Sequence, residues 1–119
     1  MWLPLLRVEV HADGALLPMW MLLDSGADST LIPWSSGSAL GFVKLKTEPL
    51  RYMGGVGGTV AYVDRRVDLA WRGGRRSVRA AWAQTDAVPC LIGRLDFFER
   101  LEICFDGRRR RFRILGRSG

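Results

Sequence analysis

One stretch constrains the chain more than any other: Met21-Leu22-Leu23-Asp24-Ser25-Gly26-Ala27-Asp28-Ser29-Thr30-Leu31-Ile32. An apolar run stops abruptly at an acid, a hydroxyl and a glycine, and a second apolar pair then begins. A carboxylate placed directly after a buried strand costs free energy unless it is hydrogen-bonded or shares a proton. Gly26 permits a close backbone approach, or dihedrals that a Cβ forbids. Ser25 can donate a hydrogen bond sideways. The stretch reads as an acid held at the end of a strand by a tight, hydrogen-bonded loop. Asp-Ser-Gly is common in loops, so this reading gains its weight from segments further along the chain.

The chemistry open to the chain is narrow. There is a single histidine, His11, so any Ser-His-Asp or Cys-His arrangement would have to use it. The two cysteines, Cys90 and Cys104, show no Cys-x-x-Cys spacing and lack the histidines a tetrahedral zinc site needs. They read as small buried thiols in a reducing, cytoplasmic setting, with a disulfide between them as the lesser alternative. If the chain does chemistry, carboxylates do it.

With 119 residues the chain is expected to form one domain, 1–119, with one core and not two lobes. No run approaches the roughly 20 apolar residues of a membrane span. The longest, Ala15 to Leu23, ends in Asp24. Residues 1–10 lack a basic start followed by an apolar core, so no secretion signal is expected. The net charge of +6 gathers at Arg72 to Arg79 and Arg108 to Arg113. Such clusters read first as solvated turns. A basic ribbon can contact phosphates, but no stacking array or recognition helix accompanies these arginines, and nucleic acid is not the expected partner.

In chain order, Leu3 to Glu9 and Ala15 to Leu23 flank Ala12-Asp13-Gly14 as a β-hairpin. Thr30-Leu31-Ile32 is a short strand closed by Pro33, and Trp34 to Leu40 holds one helical turn before Gly41. Thr47 to Met53 and Thr59 to Val63 flank a glycine-rich tip. Val67 to Trp71 and Ser77 to Trp82 join through Arg72-Gly73-Gly74-Arg75. Leu95 to Arg100 is the expected helix, with Leu95, Phe98 and Leu101 at helical spacing. Glu102 to Phe105 and Arg111 to Leu115 close the chain as a hairpin. Many short strands with glycine turns indicate a closed or sandwiched β domain.

Three segments stand out in this order: Asp24-Ser25-Gly26-Ala27, the hairpin Met53-Gly54-Gly55-Val56-Gly57-Gly58, and Leu91-Ile92-Gly93-Arg94. Together they resemble the active-site loop, flap and apolar-apolar-Gly-Arg segment of the retropepsins, the retroviral-type aspartic proteases. The resemblance spans roughly residues 5–100. The Gly-Arg-x-Asp-Phe-Phe pattern is more similar to the cellular and bacterial retropepsin-like domains. Without the resemblance, the glycine-rich segment reads as a surface hairpin. A phosphate loop is disfavoured because a strand follows it where a helix is needed.

The resemblance implies an all-β, closed acid-protease barrel with one short helix, a flap over about 50–63, and a C-terminal helix and hairpin over 95–115. It implies an endopeptidase acting between hydrophobic residues of a protein or peptide, with neither metal nor organic cofactor. Asp24 would be catalytic, with Ser25 bracing the loop and the Gly26 backbone lining the site. Ala27, Asp28, Leu22, Leu31, Gly54, Gly55, Val56, Leu91 and Ile92 would meet the substrate. Arg94 would support the loop by pairing with Asp28, its alternative being a plain surface arginine.

This chemistry needs two carboxylates sharing a proton, and the chain has one Asp-Ser-Gly motif. An active enzyme is therefore expected to be a homodimer with Asp24 of each subunit at the two-fold axis. The alternative is an inactive retropepsin-like module that dimerises or binds peptides. About 25 residues follow Arg94, more than a retroviral protease carries there, which leaves open how such a dimer is built.

Overall fold

The structure, a computed structural model, describes residues 2–55 and 58–116. The first hairpin pairs β1 (Leu5–Ala12) with β2 (Ala15–Leu23), in register from Leu5↔Leu22 to Ala12↔Ala15. Asp13 and Gly14 form its turn with φ of 47° and 83°. Two successive left-handed residues match the right-handed twist of the flanking strands, and Asp-Gly supplies them at low cost. Val8, Val10, Met21 and Leu23 turn inward, while Leu5, Leu16 and Trp20 face solvent.

The remaining elements are β3 (Thr30–Ile32), α1 (Trp34–Ala39), β4 (Arg51–Gly55), β5 (Gly58–Trp71), β6 (Gly74–Ala83), β7 (Leu91–Ile92), β8 (Leu101–Asp106) and β9 (Arg111–Gly116). Neighbours run β1-β2-β7-β3-β6-β5, and a β1–β5 pairing through Glu9↔Ala70, Val10↔Leu69 and His11↔Asp68 closes the ring. The result is a closed barrel of six strands, which leaves its backbone edges paired. β4 hangs on β5 outside the ring, and β8–β9 form a separate two-stranded ribbon.

Inside the barrel, Val8, Val10, Met21, Ile32, Val63, Leu69, Val78, Trp82, Ile92 and Phe97 are almost wholly buried. Each contributes about 1.5–3 kcal/mol relative to exposure. Trp82 packs against Phe42 at 5.5 Å between ring centres, and Trp71 meets Phe97 edge-on at 5.3 Å.

Four expectations change. The segments Thr59–Val63 and Val67–Trp71 are one continuous 14-residue strand, β5. Its charged centre is tolerated because Asp64 accepts from Arg51, Arg65 donates to Glu48 and Arg66 donates to Ser77 Oγ at 3.2 Å. The strand expected from Thr47 begins only at Arg51, because residues 45–48 close a turn with Glu48 N–H donating to Leu45 O at 3.1 Å.

The regular helix lies at α1 and not at Leu95 to Arg100. α1 ends on Gly41, at φ 90°, with Gly41 N–H donating to Ser38 O and Phe42 N–H to Gly37 O. This is the paired closure that a left-handed glycine permits. Arg94–Phe98 is instead one kinked turn in which Leu95 is extended and Asp96 left-handed, at φ 63°. The Leu95 N–H donates to Asp28 O at 2.9 Å and the Asp96 carboxylate binds Arg79, which pulls both residues out of helical dihedrals.

Finally, both cysteines are free, but Cys104 is exposed and not buried. It stands opposite Arg113 in the ribbon. Cys90 is half-buried, and desolvation pushes its thiol up to about 12. Val56 and Gly57, at the expected flap tip, lie outside the described residues, as do Met1 and residues 117–119. No helix among the described residues is long and apolar enough to cross a membrane.

Candidate active site

Two short segments meet where β2 ends. β2 and β7 run parallel, with Leu22 beside Leu91 and Leu23 beside Ile92. Leu22 N–H donates to Cys90 O at 3.1 Å, and Asp24 N–H to Ile92 O at 2.9 Å. These bonds fix the point at which the chain leaves the strand. The Gly26 N–H then donates to Asp24 Oδ1 at 2.9 Å, and Ala27 N–H to Asp24 O at 3.2 Å. A Cβ on Gly26 would press on that same carboxylate oxygen at 3.2 Å. The glycine thus gives the carboxylate a donor and room.

The second segment crosses the loop from below. Gly93 N–H donates to Thr30 Oγ1 at 3.4 Å, Arg94 N–H to Ala27 O at 2.9 Å and Leu95 N–H to Asp28 O at 2.9 Å. Thr30 is fully buried, and its hydroxyl is occupied by this crossing. Arg94 reaches round the outside, donating through Nη1 to Ser25 O at 3.4 Å and through Nη2 to the Asp28 carboxylate. The Asp28 side chain is 90% exposed and that of Arg94 51%, so this pair adds little stability. Its contribution is to hold both ends of the loop in place. Asp24 is half-buried, while Ser25, Gly26 and Asp28 are presented to solvent.

A small apolar cluster, separate from the barrel core, surrounds this loop. Leu31, Ala81, Ala83 and Leu91 are its buried members, with Leu22, Ala27, Met53, Val60, Tyr62 and Val88 packed against them. The structure therefore brings Leu22, Ala27, Leu31 and Leu91 together beside Asp24. Ile92 does not join them: it is wholly buried in the main core. The reason is the period of two along a strand, which sends Leu91 and Ile92 to opposite faces. Gly54 and Gly55 lie on the arm of the β4–β5 hairpin, paired with Thr59 and Gly58. Val60, Tyr62, Ala81, Ala83 and Val88 were not singled out by the sequence, and Met53 was named only as the start of the glycine-rich segment. The alternations Val60-Ala61-Tyr62 and Ala81-Trp82-Ala83 are the signal that places them on one face.

A half-buried acid on an exposed loop, beside an apolar wall, can hold a water as the carboxylate, or donate to a carbonyl when protonated, next to apolar side chains. Among the described residues no group of three or more His, Cys, Asp or Glu is placed to hold a metal ion.

Comparison with known proteins agrees with this geometry. Residues 8–95 match the aspartyl protease family. Among curated proteins, none matches the chain. Among solved structures, EIAV protease in complex with an inhibitor is similar at a TM-score of 0.60 and 27% identity, over 77% of this chain and 82% of that one. A retropepsin-like aspartic protease from Rickettsia conorii is similar in fold, with a TM-score of 0.66 at 16% identity, over 93% and 89% of the two chains. The chain belongs to the aspartyl protease family, in its retropepsin-like branch.

Proposed function

We propose that this aspartic protease is an endopeptidase working as a homodimer, in which Asp24 of each subunit contributes one carboxylate to a shared dyad. The observation that carries the reading is the Asp24 loop: a half-buried carboxylate accepting the Gly26 N–H, displayed beside the Leu22–Leu31–Leu91 wall. One subunit supplies one such acid, and water activation at a peptide carbonyl needs two in different protonation states. In the dimer, one carboxylate takes a proton from the attacking water while its protonated twin donates a hydrogen bond to the scissile carbonyl. The proton then passes to the leaving amine. The pair titrates as a unit, which gives a bell-shaped dependence of rate on pH.

Ser25, exposed beside the carboxylate, braces the two loops across the axis. Asp28, held by Arg94, offers its free oxygen to the backbone of a bound peptide. Leu22, Ala27, Leu31 and Leu91 receive apolar side chains on either side of the scissile bond, and the β4–β5 hairpin, with Gly54 and Gly55 on its arm, covers them. Free thiols at Cys90 and Cys104 fit a reducing, cytoplasmic setting.

The test is cleavage of a diverse peptide library by the wild type and by Asp24→Asn, from acidic to neutral pH. Cuts between apolar residues that vanish in the variant support the reading. A folded wild type that makes no cut at any pH contradicts it and favours an inactive peptide-binding module.

A further inference from the structure

The sheet face that carries the apolar cluster extends beyond it. Register places Arg51 opposite Tyr62, Tyr62 opposite Ala83, and Asp64 opposite Ala81. Side chains two positions apart share a face. Met53 and Arg51 on β4, Tyr62 and Asp64 on β5, and Ala81 and Arg79 on β6 therefore form one continuous surface. It is apolar at the end near Leu31 and charged at the other. At the charged end lies a recess of about 400 Å³, lined by Ser29, Arg51, Tyr62, Asp64, Arg79 and Ala81 among others. Ser29 directly follows Asp28, so this recess adjoins the Asp24 loop.

Its hydrogen-bonding capacity is unbalanced. Arg51 Nη1 donates to Asp64 Oδ2 at 2.6 Å, and its other N–H groups have no acceptor among the described residues. The Arg51 guanidinium lies 5.8 Å from the centre of the Tyr62 ring, which keeps it on the cluster side. Arg79 gives Nε and Nη2 to Asp96, and its Nη1 has no acceptor among the described residues. Asp96 is only 14% exposed and spends both oxygens on Arg79, so it offers little to a ligand. The recess thus presents a surplus of guanidinium donors over small, alanine-lined ground.

We propose that this recess binds an acidic side chain of the substrate, at a position outside the apolar pair that flanks the scissile bond. Arg51 is the residue that sets this preference, and Asp64 is the internal carboxylate with which the substrate acid competes. A lysine at the same position would find only Asp64 Oδ1 open to it, since Oδ2 is held by Arg51, and would meet two guanidiniums. The inference rests on the peptide-cleaving reading and adds to it a specificity that an apolar site alone does not have.

The experiment compares peptides with an apolar scissile pair and Glu, Ala or Lys at each of the flanking positions. At one position the Glu peptide is expected to show a kcat/KM about threefold to fivefold above its Lys counterpart, the scale of an exposed ion pair. Arg51→Ala brings that ratio close to one, and Asp64→Asn raises it by removing the competitor. The same labelled peptides are titrated onto Asp24→Asn by fluorescence anisotropy, so the preference is read even if turnover fails. Equal handling of Glu and Lys in both assays, or a ratio unchanged by Arg51→Ala, overturns the proposal. Cleavage without discrimination leaves the protease reading standing and removes only this one. Discrimination in binding without cleavage removes the protease reading and keeps the recess.

Discussion

Gly93 lies so close to Ser29 that a Cβ on it would sit 2.4 Å from the Ser29 carbonyl oxygen and 2.8 Å from its nitrogen. Backbone atoms on both sides make this contact, so no side-chain rotation relieves it. The two segments can separate only by stretching the bonds from Arg94 to Ala27 and from Leu95 to Asp28. Those bonds place the loop that bears Asp24.

Gly93→Ala is therefore expected to destabilise the fold by about 2–4 kcal/mol, a fall of roughly 10 °C in melting midpoint. Peptide cleavage should fall further than the folded fraction does, because the loop itself moves. A midpoint within a degree or two of wild type would show that the crossing is not as tight as described.

Asp96 gives the fold a pH dependence. Hydrogen bonds from Arg79, through its side chain and its backbone N–H, hold the Asp96 carboxyl down to about 2, below an ordinary 3.8. A depressed acid stabilises the folded state above its unfolded pKa, and this contribution is lost as pH falls through the folded value. The window is about pH 4 to about pH 2. Asparagine tolerates the left-handed backbone at this site, so Asp96→Asn removes the charge without straining the chain. The variant should be less stable by on the order of 2 kcal/mol at neutral pH, converging on wild type below about pH 2. A stability difference that is the same at neutral and strongly acidic pH would refute the charge account.

Arg65 ties the loop before the β4–β5 hairpin to the barrel. Its guanidinium donates to Glu48 Oε1 at 2.9 Å, Val43 O at 2.9 Å and Asp64 O at 2.7 Å. It also lies 5.7 Å from the centre of Phe42 and 5.4 Å from that of Trp82. A planar fork serves all these partners at once, and an ammonium cannot. Arg65→Lys should lower the melting midpoint by about 5 °C despite keeping the charge. An unchanged midpoint would mean that charge alone suffices here.

Much of this molecule is legible from local sequence. Asp13-Gly14 specifies its hairpin turn, and the abrupt Leu23-Asp24 boundary marks the loop on which the site is built. What escaped the sequence is what depends on distant partners. β5 runs unbroken through Asp64-Arg65-Arg66 only because Arg51, Glu48 and Ser77 come from other elements to satisfy it. Leu95, Phe98 and Leu101 have helical spacing, yet Asp28 and Arg79 capture the intervening backbone and carboxylate. The apolar wall beyond Leu22, Leu31 and Leu91 emerges once pairing sets Tyr62 against Ala83. The charged recess likewise exists only after three strands are aligned.

The central claim is that two subunits share one dyad. Wild-type protein at fixed concentration, titrated with Asp24→Asn under conditions that allow subunits to exchange, tests it most directly. A shared dyad predicts that peptide cleavage falls to roughly half at equimolar mixing and towards zero with excess variant, as mixed dimers sequester wild-type subunits. Cleavage that stays at the wild-type level throughout the titration would contradict it, because each subunit would then act alone.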